Sequence, residues 1–188
     1  WVQPPMTDHY DASGFSSFSF WVRGSSGGES FQTGLKDRSG KEIKVESTDW
    51  VVVSASEWRQ VVIVLSEFTG VDTTTVENVN FGFNENHGKG TICIDDIAFH
   101  TLVDTPMGPV APLREVFPQV DGGKAAGDGT EPGTLTAKFV DTDDCLHSGE
   151  YGLKLTYEML PDGHGVWVVD WVQPPMTDHY DASGFSSF

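Results

Sequence analysis

The chain has 188 residues, with 28 acidic against 11 basic side chains and a formal charge of −17. A surface of that sign repels phosphate backbones and anionic headgroups, which excludes nucleic acid and membrane insertion as partners, and no stretch approaches the roughly 20 apolar residues of a membrane span. Hydrophobic residues at 38% and aromatics at 12% exclude a disordered chain, while 21 Gly and 10 Pro favour turns over long helices.

The first eighteen residues read WVQPPMTDHYDASGFSSF, and residues 171–188 repeat them without change, at an offset of 170 residues. The simplest reading is a window cut out of phase from a tandem array. A circular permutant with overlapping ends is the alternative. Only one copy can occupy a given strand and loop of a closed domain. The other is then surplus, or it enters a neighbouring molecule by strand exchange, which can propagate as a fibre.

Strand patterns run along the chain. Phe18, Phe20 and Val22 alternate with polar or outward residues, and Phe31, Thr33 and Leu35 do the same. A turn at Asp37-Arg38-Ser39-Gly40 then returns the chain through Ile43 and Val45 as a hairpin. Trp50 to Val53 and Gln60 to Leu65 are Val- and Ile-rich strands. Val79, Phe81 and Phe83 alternate with Asn80, Gly82 and Asn84, and Thr91 to Phe99 is the next strand. Thr101 to Pro112 holds three prolines and reads as an extended connector. Beyond it, Leu113 to Val120, Thr134 to Val140, Gly152 to Met159 and Gly165 to Val172 are further strands. Short strands at this spacing predict an all-β sandwich. Residues 1–100 form its C-terminal part, 101–112 the linker and 113–188 its N-terminal part, one sandwich per 170-residue repeat.

Taken from linker to linker, four motifs carry a family resemblance. They are His147-Ser148-Gly149-Glu150-Tyr151-Gly152-Leu153-Lys154-Leu155; Tyr180-Asp181-Ala182-Ser183-Gly184-Phe185 continuing as Ser19-Phe20-Trp21-Val22-Arg23-Gly24; Glu57-Trp58-Arg59-Gln60-Val61-Val62-Ile63 with Glu67-Phe68; and Gly90 to Phe99. In that permuted order the chain resembles the galactose-binding-like jelly rolls that include family 11 carbohydrate-binding modules and complex I intermediate-associated domains. The resemblance implies a jelly-roll β-sandwich and non-catalytic polysaccharide binding. It also implies a structural Ca2+ joining the loops to the last strand.

The acidic residues offer oxygens for such a cation, which takes about six to eight of them. Asp96 leads, placed by alternation on the core side with Ile92 and Ile94, where a carboxylate needs a partner. Asp141 and Asp121 come next, with Asp143 and Asp95 beside them. The alternative is a solvated acidic loop. Cys93 on the last strand and Cys145 in the Asp-rich loop pair as a disulfide at the same junction, or pack as two small buried hydrophobes. Trp167, Trp171, Tyr180, His164, Asp170, Arg23 and Gln32 are candidates to line one concave sheet, where an aromatic face stacks on a pyranose and polar groups bind its hydroxyls. Trp21 and Trp58 read as packing.

No nucleophile elbow, phosphate-binding loop or zincin motif is present, so an enzyme ranks last. The expected function is an extracellular or cell-surface module binding polysaccharide, stabilised by Ca2+. The alternative is a structural repeat of a surface fibre or adhesin, assembling with identical subunits or neighbouring repeats.

Overall fold

A computed structural model describes residues 9–101, 133–140, 143–149 and 152–170. The regular elements among them are strands and short 3-10 turns. The strands are β1 (Ser17–Gly24), β2 (Gln32–Asp37), β3 (Glu42–Glu46), β4 (Arg59–Val64), β5 (Val76–Asn84), β6 (Lys89–His100), β7 (Gly133–Val140), β8 (Gly152–Met159) and β9 (His164–Asp170). They build two antiparallel sheets, ordered β4-β1-β6-β8-β7 and β3-β2-β5-β9. No described helix is long and apolar enough to cross a membrane.

The alternating residues set the core. Phe18, Phe20 and Val22 of β1, Ile92 and Ile94 of β6, and Leu153, Leu155 and Tyr157 of β8 are buried from one sheet. Thr33 and Leu35 of β2 and Val79, Phe81 and Phe83 of β5 are buried from the other. Phe20 meets Phe81 edge-on with centroids 5.2 Å apart, and Phe83 stacks on Tyr157 at 4.1 Å. Such pairs add to area burial because ring edge and ring face carry opposite partial charge.

Strands from both sides of the Pro-rich segment share both sheets. β6 pairs with β8 and β5 pairs with β9. The sandwich is therefore completed only by residues on either side of positions 102–132. The predicted strand Leu113 to Val120 lies outside the described residues.

Trp50 to Val53 is not a strand. Its backbone bonds are local or to a loop: Trp50 and Val51 N–H donate to Ser47 O, and Val53 O accepts from Gly28 N–H in the β1–β2 connection. Val52 is 81% exposed. An apolar composition sufficed for the sequence expectation, but no neighbouring strand offers the segment a ladder.

The β2–β3 hairpin turns where the sequence places it. Gly40 takes φ +88, a conformation costly for side-chain-bearing residues. The Asp37 carboxylate accepts from Ser39 N–H at 2.8 Å, Ser39 Oγ–H at 2.6 Å, Lys41 N–H at 3.1 Å and Asp72 N–H at 2.9 Å. One anion thus ties the hairpin turn to the loop before β5. Burial pushes the Asp37 carboxyl up, but the donors from Asp72, Ser39 and Lys41 outweigh it and hold it below the usual carboxylate value. With a lowered folded pKa, the stabilisation is present above the unfolded carboxylate value and is lost as pH falls through the folded one. Chemical denaturation across pH 2 to 7 should show stability falling on the acid side. Asp37→Asn should lower stability at neutral pH and make that acid limb shallower.

Candidate functional site

Alternation that sends Thr33, Leu35, Val79, Phe81 and Phe83 inward leaves a second set of residues on the other face of the four-stranded sheet. The registers arrange them in cross-strand rows. Glu46, Gln32, Gly82 and Val166 stand opposite one another in sequence across the sheet. Lys44, Gly34, Asn80 and Val168 form the next row, and Glu42, Lys36, Asn78 and Asp170 the third. His164 stands opposite Asn84 and is exposed.

Hydrogen bonds order this face. Gln32 Nε2 donates to Glu46 Oε1 at 2.6 Å, and the other Glu46 oxygen lies 3.0 Å from His87 Nε2. His87 Nδ1 accepts the Asn84 N–H at 2.8 Å. The ring's proton therefore sits on Nε2 and is donated to Glu46, so tautomer and orientation are both set. Asn80 Nδ2 donates to Glu42 Oε1 at 2.8 Å, while Asn80 Oδ1 is buried without a partner. A buried acceptor left unpaired costs about 1–3 kcal/mol. Gly34 makes room for it: a Cβ there would lie 2.7 Å from Asn80 Oδ1 and 2.7 Å from the Ile43 carbonyl oxygen. The Lys44 stem crosses over the same glycine, and Lys44 Nζ pairs with Glu42 Oε2 at 3.2 Å. The face thus holds a notch of two glycines, with Asn80 Oδ1 beside Gly34 and the Gln32 amide beside Gly82.

Of the sugar-binding candidates, Gln32, His164 and Asp170 fall in the rows of this face by register. Trp167 stands opposite Phe81, one residue out of phase with them, because strand alternation has period two. Trp171 and Tyr180 lie outside the described residues. Arg23 is not brought to this sheet, since β1 belongs to the other one. Asn78, Asn80, Glu42, Glu46 and His87 were missed. Their signal was the alternation of Asn with Val and Phe along β5, which marked the inner face but was not followed to the outer one.

The outer face of the five-stranded sheet carries a clamp. Cys93 and Cys145 form a disulfide with Cα atoms 5.1 Å apart, which brings the 143–149 loop onto β6. Arg23 Nη2 donates to the carbonyls of Asp143, at 3.2 Å, and Asp144. The Arg23 guanidinium lies 5.1 Å from the centre of the Trp58 ring. His147 stacks on Trp21 with centroids 4.1 Å apart and meets Trp58 edge-on at 5.4 Å. The two tryptophans pack, as their motifs suggested.

The acidic pair on β6 corrects the alternation argument. The register with β1 shifts between Ser19 and Trp21, and Asp96 sits at φ +48. This bulge takes Asp96 out of the Ile92 and Ile94 phase. Asp95, not Asp96, is the buried carboxylate, and it lies on the outer face beside Trp21's backbone partner position. It accepts N–H bonds from Asp96 at 2.7 Å, His147 at 2.7 Å and Ser148 at 3.1 Å. Burial pushes its carboxyl up, the three donors oppose that, and the Asp96 charge adds to it. Asp96 is held by His147 Nδ1 at 2.6 Å and Ser148 Oγ at 2.5 Å. Among the described residues no group of three His, Cys, Asp or Glu side chains could hold a metal ion. Both carboxylates are already engaged by the loop, so these residues do not by themselves fit Ca2+, which takes about six to eight oxygens. Asp143 is exposed, and Asp121 and Asp141 lie outside the described residues.

A depression of about 640 Å3 lies at the β4 edge, lined by Trp50, Arg59, Gln60 and Ser54 among others.

The family profile for carbohydrate binding domain 30 matches residues 6–101, just over half of the chain. The chain belongs to this family. It is a non-catalytic carbohydrate-binding module with a two-sheet antiparallel sandwich fold. Family 30, rather than family 11, is the group shown. A crystal structure of a family 30 carbohydrate-binding module is similar at 23% identity, over 55% of this chain and 59% of that one, with a TM-score of 0.43. A family 30 module of a cellulosomal cellulase of Clostridium thermocellum is similar at 15% identity, over 87% and 58%, with a TM-score of 0.33. The chain thus spans less than two thirds of either structure's length. No curated protein matches the chain.

The clamp's disulfide spans 52 residues and crosslinks β6 to the loop before β8. Replacing both cysteines by serine should cost about 2–4 kcal/mol of unfolding free energy, the usual contribution of such a closure. Urea denaturation of the double variant beside the parent measures it.

Proposed function

We propose that the module binds polysaccharide on the outer face of the four-stranded sheet. The observation that carries this reading is the glycine notch of Gly34 and Gly82 beside Gln32 and Asn80, with a buried Asn80 carbonyl lacking a donor. Sugar hydroxyls both donate and accept, and planar amides satisfy both roles at once. Four strands at about 4.8 Å spacing make a surface roughly 15 Å across, on the scale of a short oligosaccharide. The Lys44 stem that crosses Gly34 and Gly82 is long and flexible, so a ligand that displaces it reaches the notch and supplies the missing donor. Trp171 and Tyr180 remain proposed stacking partners, and His164 and Asp170 proposed rim contacts; Trp167, in phase with Phe81, is not one of this face.

The substrate class and the Cys93–Cys145 disulfide both support an extracellular or cell-surface setting, since disulfides persist in oxidising compartments. The exact repeat of residues 1–18 at 171–188 favours a second reading, a tandem array in which the module also builds a stalk or fibre.

Binding to a panel of cellulose, mixed-linkage glucan, xylan and mannan tests the first reading. On whichever glycan binds, Gln32→Ala and Asn80→Ala should each weaken affinity about tenfold, roughly one lost hydrogen bond or slightly more. Trp21→Ala, on the opposite sheet, should lower stability and leave affinity unchanged. Failure to bind any glycan, or full affinity in both amide variants, refutes the assignment of this face.

Ca2+ at the junction of the Asp-rich loop and β6 is a separate proposal. It requires Asp121 and Asp141 to bring the oxygens that Asp95 and Asp96 have committed to the loop. It is expected to raise the Tm over an EDTA-treated sample, and Asp141→Asn should abolish that rise. Equal melting with and without Ca2+ points instead to a junction held by the disulfide and hydrogen bonds.

A further inference from the structure

Residues 9–18 fill a defined slot on the sandwich. Tyr10 and Val76 exchange both backbone hydrogen bonds, at 2.7 and 2.9 Å, and Ala12 N–H donates to Thr73 O at 2.7 Å. Ala12 is fully buried. Tyr10 and Phe15 pack on Phe99 with centroids 5.4 and 5.9 Å away. Ser16 N–H donates to His100 O, and Ser16 O accepts from Leu65 N–H, each at 2.8 Å.

The position of this slot matters. On one edge of β5, β2 reaches down to Asp37 opposite Val76. On the other edge, β9 runs antiparallel to β5 and makes its last pair between Asp170 and Asn78. Val76, two residues further along β5, gives its backbone hydrogen bonds to Tyr10, also antiparallel. Tyr10 therefore continues the line of β9 along the same edge of β5. The chain that leaves β9 is the second copy: Tyr180, Ala182 and Phe185 match Tyr10, Ala12 and Phe15. Residues 171–179 separate Asp170 from Tyr180. Nine extended residues reach about 30 Å, while two residues along a strand advance only about 7 Å. There is ample slack to deliver the second copy to the slot.

We propose that residues 179–188 and 9–18 of the same chain compete for this one slot, so either copy completes the sandwich. The slot is entered from β1 by one copy and from β9 by the other. Attachment at β9 gives the second copy a high effective concentration there. When it docks, the path β9–slot becomes continuous, which is the linker-to-linker order of the sequence motifs.

The test uses the full chain with glutamate placed at the buried alanine of each copy. Ala182→Glu should melt within about 1 °C of the parent. Ala12→Glu should also keep a cooperative transition close to the parent, because the second copy takes over. The double variant should lose the transition or melt far below the sum of the two single shifts, the non-additivity expected of two groups sharing one role. Sedimentation of Ala12→Glu should show a monomer. If Ala12→Glu falls as far as the double variant, the second copy does not dock and the proposal fails. If the double variant melts like the parent, the slot is not needed for folding, and the proposal also fails. A concentration-dependent dimer of Ala12→Glu shows filling by a neighbouring chain and overturns the in-chain docking.

Discussion

The two seams β6–β8 and β5–β9 hold the molecule together. Each joins a strand from before the Pro-rich segment to one from after it, one seam in each sheet. Neither half buries its aromatics alone. Phe83 needs Tyr157 across the sandwich, and Ile92 and Ile94 lie against β8 partners Leu155 and Leu153. Sheet edges left by separating the halves would expose unpaired backbone groups, a costly outcome in any isolated half. The disulfide and the Arg23, Asp95 and Asp96 contacts all converge on the first seam. The clamp is therefore best understood as reinforcement of a long-range pairing whose closure entropy is large.

The same alternation that fills the core populates the proposed binding face. A one-residue slip of β5 would exchange Phe81 for Asn80 and Phe83 for Gly82, destroying core and face together. This couples site to fold tightly. It also explains why the face carries glycines and amides rather than charges at its centre. Side chains over a central strand are crowded by both neighbours, so Gly34 and Gly82 set the depth and Asn80 fits above Gly34. Charged Glu42, Lys44 and Glu46 sit on edge strand β3, where they also discourage pairing with other sheets.

Much of this was legible in the residues. Phe18 to Val22, Phe31 to Leu35 and Val79 to Phe83 disclose strands and inner faces because period two survives any tertiary context. The Cys93 and Cys145 junction was open to either pairing or packing from position alone. Other features depend on partners and were not legible. Asp95 and Asp96 exchange roles through a bulge set by pairing with β1. Arg23 and Gln32 fall on different sheets because β1 and β2 separate at the loop between them. Trp50 to Val53 has strand composition without a strand's neighbour. Trp167 and Asp170 were placed on one face as aromatic and acid, yet they differ by an odd number of residues.

The duplicated segment and the seams bear on each other. A closed sandwich needs one occupant at the Val76 edge of β5, and the chain supplies two, attached at opposite ends of the same line. If the first copy docks, β7 to β9 join a sandwich begun by β1. If the second docks, the path from β9 through the slot is continuous, and in an array the β1 motif comes next along the chain. In such an array these two closures assign the same strands to different partners, the strands after one linker pairing either with those before it or with those of the next repeat. The duplicated residues offer the same backbone groups and side chains to the slot from either copy, so the slot's own contacts do not distinguish the two. Their difference lies in loop closure. One spans the Pro-rich connector between β6 and β7, and the other spans residues 171–179 between β9 and Tyr180. Closure entropy grows with loop length, so in an array the shorter connection favours the second path, whereas in the chain described residues 9–18 hold the slot. The proposed binding face is neutral to this choice, since Gln32, Gly34, Asn80 and His164 come together on it through the β2–β5 and β5–β9 pairings.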